Sequence, residues 1–311
     1  MAQLADMTHL AQLKTLARQS LPFNWQTLAK LAARAYVSGP ELSDAMATAQ
    51  RLSRLGLEST VCYWNVGQDS PGAIADTCIA ALGAARGEPD TSCIGIKLAP
   101  MRFDQGLLHR ILDAANGSGK LIHFDAHGPE TAEPTFRAIE QARGRYPHLG
   151  CTLPGRWQRS LVDAERAAEL GLHVRVVKGR WPEQPGQDDG DLRAGYLKVI
   201  DHLAGRVGSV AVATHDAELG RECLTRLRRA GTEAMLEQLY GLPMKATLKM
   251  ARELGVPVRV YVPFGYGCLP YCLSQLRKNP HILWWILRDA VTGGTLSSPE
   301  KPELDRPKAT E

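Results

Sequence analysis

Three features of the sequence predict an α/β fold, a (β/α)8 TIM-like barrel with an N-terminal helical arm. Short apolar stretches alternate with amphipathic ones from about residue 60 onwards, which is the order of parallel strands joined by helical crossovers. The 311 residues, of which 44% are hydrophobic, are enough for one large core, since such barrels take roughly 250 residues plus extensions. Polar residues collect where the apolar stretches end, as active-site residues do in barrels.

The elements follow in chain order. Residues 1–39 are expected to form the helical arm, which precedes any strand and is interrupted by proline at Ser20-Leu21-Pro22. The barrel is expected to cover residues 40–290, and the stretch 291–311, rich in Pro, Lys, Glu and Ser, is expected to be disordered. The predicted strands are 60–66, 92–98, 120–126, 148–154, 173–179, 209–215, 234–239 and 258–265. The seventh, AMLEQL, fits a helix as well as a strand.

The last predicted strand contains the clearest alternation. Arg259 and Tyr261 alternate with valines, so the valines are expected to face the surrounding helices and the two polar residues the barrel interior. The strand stops at Gly265, where a turn leads directly into a helix. Tyr261 is therefore expected to point into a pocket.

Composition excludes several classes of function. A net charge of +4 with acidic and basic residues intermixed indicates neither a nucleic-acid groove nor a membrane-binding face. Seven scattered cysteines without a Cys-x-x-Cys pair are typical of a reducing compartment. The N-terminus has no signal-peptide pattern, and the apolar run 282–287 is far too short to span a bilayer. We expect a cytoplasmic protein with no integral membrane segment.

The third predicted strand carries a possible metal site. At period two, His123, Asp125 and His127 share one face, and such side chains can hold a divalent metal that activates water. No second His-x-His or Glu-x-x-His set accompanies them to complete the shell. A metal-dependent hydrolase is therefore retained as an alternative, not as the first hypothesis.

Motifs on several separate strands resemble those of the proline dehydrogenases, which are FAD-dependent (β/α)8 barrels. The last βα unit has Tyr-x-Pro-Phe-Gly, then Pro-Tyr and Asn-Pro; the fifth strand has Arg-x-Val-Lys-Gly; the sixth ends Ala-Thr-His-Asp, where the family has Ala-Thr-His-Asn. The similarity extends in order over roughly residues 36–290.

The resemblance implies an FAD site. A cation beside the flavin would stabilise the negative charge that develops on the ring during reduction, and Arg175 is expected near the flavin N5. Further cofactor-binding residues are expected on the fifth and sixth strands: Val177, Lys178, Gly179, Thr214, His215 and Asp216.

The resemblance also implies a substrate pocket. On local sequence alone, Lys97 fits two interpretations equally well: it extends to solvent at the rim, or it faces the pocket. The family has a strand-end lysine here that helps to bind the substrate carboxylate, which favours the pocket. The expected pocket residues are Lys97, Asp125, Trp181, Leu239, Tyr261 and Tyr271.

Some positions depart from the family pattern. The family clamps the substrate carboxylate with an Arg pair followed by a Glu, and counted without gaps these positions hold Ser274, Gln275 and Lys278. Pro154 and Glu237 replace glutamines of the family. Because Ser and Gln cannot replace the charge of two arginines, we expect oxidation of a C–N or N–N bond in an amine other than free L-proline. An amino acid whose carboxyl is esterified or tethered to a carrier protein, in a biosynthetic pathway, fits this expectation.

Other functions stay open at this point: a true proline dehydrogenase with a rearranged carboxylate site, a non-catalytic barrel scaffold, and the metal-dependent hydrolase. The exact substrate, the electron acceptor (quinone, oxygen or a protein) and the oligomeric state do not follow from the sequence.

Overall fold

The structure, a computed structural model, describes residues 38–184 and 190–268. Eight parallel strands close a barrel in which each strand pairs with its neighbours in chain order, and the last pairs with the first. The strands are β1 Glu58–Tyr63, β2 Cys93–Ile96, β3 Leu121–Phe124, β4 Leu149–Pro154, β5 His173–Val177, β6 Ser209–Ala213, β7 Glu233–Leu239 and β8 Val258–Phe264. The predicted (β/α)8 barrel is confirmed, and the ambiguous seventh stretch is a strand.

Eight helices of ten or more residues are described, one before β1 and one after each of the first seven strands. They are α1 Leu42–Ser53, α2 Pro71–Ala85, α3 Gln105–Ala115, α4 Ala132–Arg143, α5 Ser160–Glu169, α6 Leu192–Leu203, α7 Ala217–Arg229 and α8 Lys245–Leu254. Several start at a residue whose side chain accepts a hydrogen bond from the first turn, as Ser70, Asp104 and Asp191 do. Such caps satisfy amides that have no partner within the helix.

The apolar core lies between the strands and the helices, while the barrel interior is polar. Val258, Val260 and Val262 belong to the apolar core, whereas Arg259 binds Glu58 of β1 and Tyr261 binds Asp125, which follows β3. The alternation predicted for β8 is therefore confirmed.

The interior of the barrel begins with an ion pair at its amino-terminal end. Arg259 Nη2 lies 3.1 Å from Glu58 Oε2, and Glu58 also accepts a hydrogen bond from the Ser92 hydroxyl. This pair lies at the end of the barrel opposite the pocket, which is at the carboxyl-terminal ends of the strands.

Some predictions lie outside the described residues: the tail 291–311, the positions Tyr271, Ser274, Gln275 and Lys278, and the helical arm except residues 38 and 39. Within the described ranges, no helix is long and apolar enough to cross a membrane.

Candidate active site

The carboxyl-terminal ends of the strands surround a cavity of about 450 Å³, within the range of roughly 300–1,000 Å³ that is usual for ligand pockets. Ten of the residues expected from the sequence line it: Lys97, Asp125, Arg175, Val177, Gly179, Trp181, Thr214, His215, Leu239 and Tyr261. These ten residues therefore lie together around one cavity.

Two expected cofactor residues lie elsewhere. Lys178 is exposed, and the Asp216 carboxylate caps α7 by accepting hydrogen bonds from the amides of Glu218 and Leu219. Neither is among the residues that line the cavity. Each is next in sequence to a residue that does line the cavity: Val177 precedes Lys178, and His215 precedes Asp216.

Arg175 lies at the floor of the cavity between two carboxylates. Its Nε and Nη2 are 2.9 and 2.7 Å from the two carboxylate oxygens of Glu237, and its Nη1 is 2.6 Å from Asp125 Oδ1. The exposed fractions of the Arg175 and Glu237 side chains are 4% and 2%. The Arg175 guanidinium is thus buried and is bound by two carboxylates.

Charge keeps Arg175 protonated. Burial lowers the pKa of the guanidinium, but the negative charges of Glu237 and Asp125 outweigh burial and hold that pKa well above its ordinary value. A guanidinium has five N–H groups; two bind Glu237, one binds Asp125 and one makes a longer bond of 3.4 Å to the Thr60 hydroxyl. Among the described residues, one Nη1 N–H remains for a ligand in the cavity.

A chain of hydrogen bonds leads from Arg175 to the cavity wall. Asp125 Oδ2 accepts a 2.6 Å hydrogen bond from the Tyr261 hydroxyl, which itself accepts one of 3.0 Å from Trp64 Nε1. Burial and the charge of Asp125 raise the pKa of Tyr261 well above its ordinary value. Tyr261 therefore stays neutral and donates to Asp125.

Lys97 turns inwards, not out to solvent at the rim. Its Nζ lies 3.3 Å from Cys62 Sγ and 3.1 Å from the carbonyl oxygen of Tyr63, and 5.1 Å from the ring centre of Trp64. Burial lowers the pKa of Lys97, but contact with Cys62 and the charge of Asp125 more than offset it. Lys97 is therefore a second cation in the lining of the cavity, and the interpretation that it extends to solvent at the rim is wrong.

The three side chains of the metal hypothesis have separate roles. His123 is buried and binds the Thr152 hydroxyl at 2.9 Å, and burial together with Arg175 lowers its pKa well below the ordinary value. Asp125 pairs with Arg175, and His127 stacks on Trp181 with ring centres 4.9 Å apart. Within residues 38–184 and 190–268, no group of three or more His, Cys, Asp and Glu side chains could hold a metal ion.

A glycine and a histidine that the motifs single out have structural roles as well. A side chain at Gly179, whose φ is +94°, would place its Cβ 2.9 Å from Pro154 Cβ, so glycine is required there for packing between the ends of β4 and β5. His215 Nε2 accepts a hydrogen bond from the Leu239 amide, and its Nδ1 lies 3.1 Å from the Pro243 carbonyl oxygen. The ends of β6 and β7 are thereby fixed to each other.

Three tryptophans line the cavity, and only one of them was expected. Trp64 and Trp157 line the cavity beside Trp181, and the Trp157 indole N–H donates to the carbonyl oxygen of Trp181 at 2.8 Å. Trp64 directly follows β1, and tryptophan after a strand end is a signal that sequence reading could have used. Nothing local in the sequence marks Trp157 as a pocket residue.

Comparisons with known proteins agree with the resemblance. No family model matches the chain. It is 25% identical over 296 residues to proline dehydrogenase 1 of Bacillus subtilis subsp. natto, covering 90% of this chain and 96% of that protein. It is 26% identical over 304 residues to proline dehydrogenase of Deinococcus radiodurans, covering 91% and 94%.

Solved structures share the fold. The proline utilization A (PutA) structure from Bdellovibrio bacteriovorus, inactivated by N-propargylglycine, superposes with a TM-score of 0.70 at 14% identity, over 87% of this chain and 36% of that one. PutA from Corynebacterium freiburgense superposes with a TM-score of 0.65 at 16% identity, over 91% of this chain and 34% of that one. The chain thus spans about a third of the length of these PutA chains. The chain is thus similar over nearly its whole length to proline dehydrogenases, and it shares the fold of the PutA structures.

Proposed function

We propose that the protein is an FAD-dependent oxidoreductase that oxidises a C–N or N–N bond of an amine by hydride transfer. The single observation that carries this proposal is the convergence of Arg175, Lys97, Asp125 and Tyr261 on one cavity at the carboxyl-terminal ends of the strands. The cofactor and the reaction class are those of the proline dehydrogenases, which the chain resembles.

The residues present fit a flavin. The cavity has an apolar wall that includes Val177 and Leu239, suited to a flat aromatic ring system, and it has Arg175 at its floor. Arg175 retains one N–H for a ligand, and Thr214 adds a hydroxyl where the family binds the ribityl and nucleotide portion. The donor set therefore suits a ring that gains negative charge.

The roles of the chain's own residues follow from their contacts. A bound flavin would accept the hydride and its two electrons. Arg175 would hold positive charge next to the ring, with Asp125 and Tyr261 fixing its position. Lys97, Trp64 and Trp181 would form the wall against which the amine lies, and the tryptophans would exclude water from the reacting carbon or nitrogen.

The substrate we propose is not free L-proline. Ser274 and Gln275 supply no charge at the positions of the family's Arg pair, and losing one charge-assisted contact costs about 2–5 kcal/mol. An amine without a carboxylate, or an amino acid whose carboxyl is esterified or carried as a thioester on a carrier protein, avoids that loss. Such a substrate fits a biosynthetic role in the cytoplasm better than it fits proline catabolism.

The test compares rates of flavin reduction under anaerobic conditions. L-Proline methyl ester and an L-prolyl thioester should reduce the flavin at least about 30-fold more efficiently than free L-proline, the factor that a 2 kcal/mol loss of binding gives. The enantiomeric D-proline ester controls for reaction of the free ester with flavin. Faster reduction by free L-proline than by either masked form would contradict the proposal.

A specific observation favours one alternative, a true proline dehydrogenase with a rearranged carboxylate site. Arg180 lines the cavity with its guanidinium 5.2 Å from the ring centre of Trp181, and Lys97 lines the same cavity, so the cavity offers two cations to a carboxylate. The same comparison of proline with its esters decides between the two substrates.

A further inference from the structure

Among the described residues, Glu237 and Asp163 are both buried carboxylates bound by an arginine, but only the arginine of Glu237 is buried as well: the Arg175 side chain is 4% exposed and that of Arg159 29%. Glu237 lies on β7 with only 2% of its side chain exposed, and both of its oxygens bind Arg175. One oxygen also accepts a 3.0 Å hydrogen bond from the Thr60 hydroxyl. A glutamine, which the family resemblance places here, could accept only one of the two Arg175 bonds and would carry no charge.

The carboxylate changes the charge next to the cavity. Asp125, Arg175 and Glu237 form one buried group with one positive and two negative charges, and with glutamine at 237 the two remaining charges would cancel. Interactions between charges are strong in so buried a site because the effective dielectric constant is low. Glu237 therefore offsets the positive field that Arg175 presents to a ligand.

We propose that Glu237 is a positioning residue that acts through Arg175 and lowers the reduction potential of the bound flavin. This inference rests on the proposed FAD site. Reduction adds two electrons to the ring system, so a cation beside the ring favours the reduced form. Because the negative charge of Glu237 partly cancels the positive charge of Arg175, the flavin is a weaker oxidant than it would be with an uncharged residue at 237. The Glu237 carboxylate binds Arg175 and Thr60 and forms part of the cavity lining, and its proposed effect on the flavin is electrostatic, through Arg175.

The experiment measures midpoint potentials of the FAD-loaded full-length protein by anaerobic reductive titration with an indicator dye. Glu237→Gln should raise the potential by at least about 30 mV, equal to a tenfold change in the equilibrium constant of a two-electron reduction. Glu237→Asp keeps the charge but places it one methylene further from Arg175, so a smaller rise is expected. Glu58→Gln is the matched control, because it removes a carboxylate paired with Arg259 at the opposite end of the barrel.

The outcomes separate this inference from the proposed function. Unchanged potentials in both Glu237 variants would overturn it, as would an equal rise in Glu58→Gln, which would show that any interior carboxylate has the same effect. If Glu237→Gln does not fold, Glu237→Asp decides alone: a rise supports the inference and an unchanged potential overturns it. If the unaltered protein takes up no FAD, the proposed function fails first, before any variant is made.

Discussion

Replacing Arg175 with methionine should lower the free energy of unfolding by about 3–5 kcal/mol. The change leaves Asp125 and Glu237 buried without a cation, and removing one partner of a buried ion pair costs that much because the remaining charge is uncompensated. Glu237 would keep only its hydrogen bond from Thr60. The measurement is urea unfolding followed by circular dichroism, with both protein forms free of cofactor.

Arg145 provides a matched control. It binds Asp113 with the same bidentate geometry, 2.8 Å for each contact, but its side chain and that of Asp113 are 44% and 50% exposed. Exposed pairs contribute little to stability because solvent screens the charges, so Arg145→Met should leave the urea midpoint nearly unchanged. The double variant Arg175→Met, Glu237→Gln should recover part of the loss, because it removes one of the two uncompensated charges. Equal effects of the two arginine substitutions would contradict the proposed importance of burial.

The second large effect is expected at Gly265, where the chain leaves β8. Its φ is +99°, and a Cβ there would lie 2.6 Å from the carbonyl oxygen of Trp64 and 2.6 Å from Tyr63 Cε2. A left-handed conformation costs a residue with a side chain roughly 1–2 kcal/mol, and the close contacts add a cost that only movement of the backbone can relieve. Gly265→Ala should therefore destabilise the protein by at least about 2 kcal/mol.

Gly231 separates the two contributions. It has a φ of +78° with nothing within 4 Å of a Cβ, so Gly231→Ala should cost only the conformational part, roughly 1–2 kcal/mol. The difference between the two variants in thermal or urea unfolding measures the collision with Trp64 and Tyr63. Because Trp64 lines the cavity, Gly265→Ala should also change the tryptophan fluorescence of the folded protein, and Gly231→Ala should not. Equal losses of stability would show that Trp64 and Tyr63 move aside freely.

The fold could be predicted from the sequence because alternation and strand order determine it. Val258–Phe264 alternates so regularly that its two faces were assigned correctly. The ends of strands were less predictable: β2, β3, β5 and β6 end two residues, and β1 three residues, before the predicted limits. The chain beyond these strand ends still belongs to the barrel mouth, since Lys97 and Asp125, which follow β2 and β3, line the cavity.

The candidate site was predictable only in part. A buried arginine on β5 requires partners, but Asp125 and Glu237 are 50 and 62 residues away from it in sequence. Their meeting depends on the register between neighbouring strands all around the barrel, which no local pattern contains. The motif on β5 also predicted Lys178 in the site, because the motif does not show which of its side chains face the cavity. Lys178 is exposed.

The visible absorption spectrum of the purified protein tests the central claim most directly. Absorption bands of an oxidised flavin, with about one FAD released per chain on denaturation, are the predicted result, and Arg175→Met should lower that ratio severalfold. Flavin binding by the Arg145→Met control should equal that of the unaltered protein. A colourless protein that also takes up no added FAD would contradict the account, because the cavity around Arg175 would then not be a flavin site.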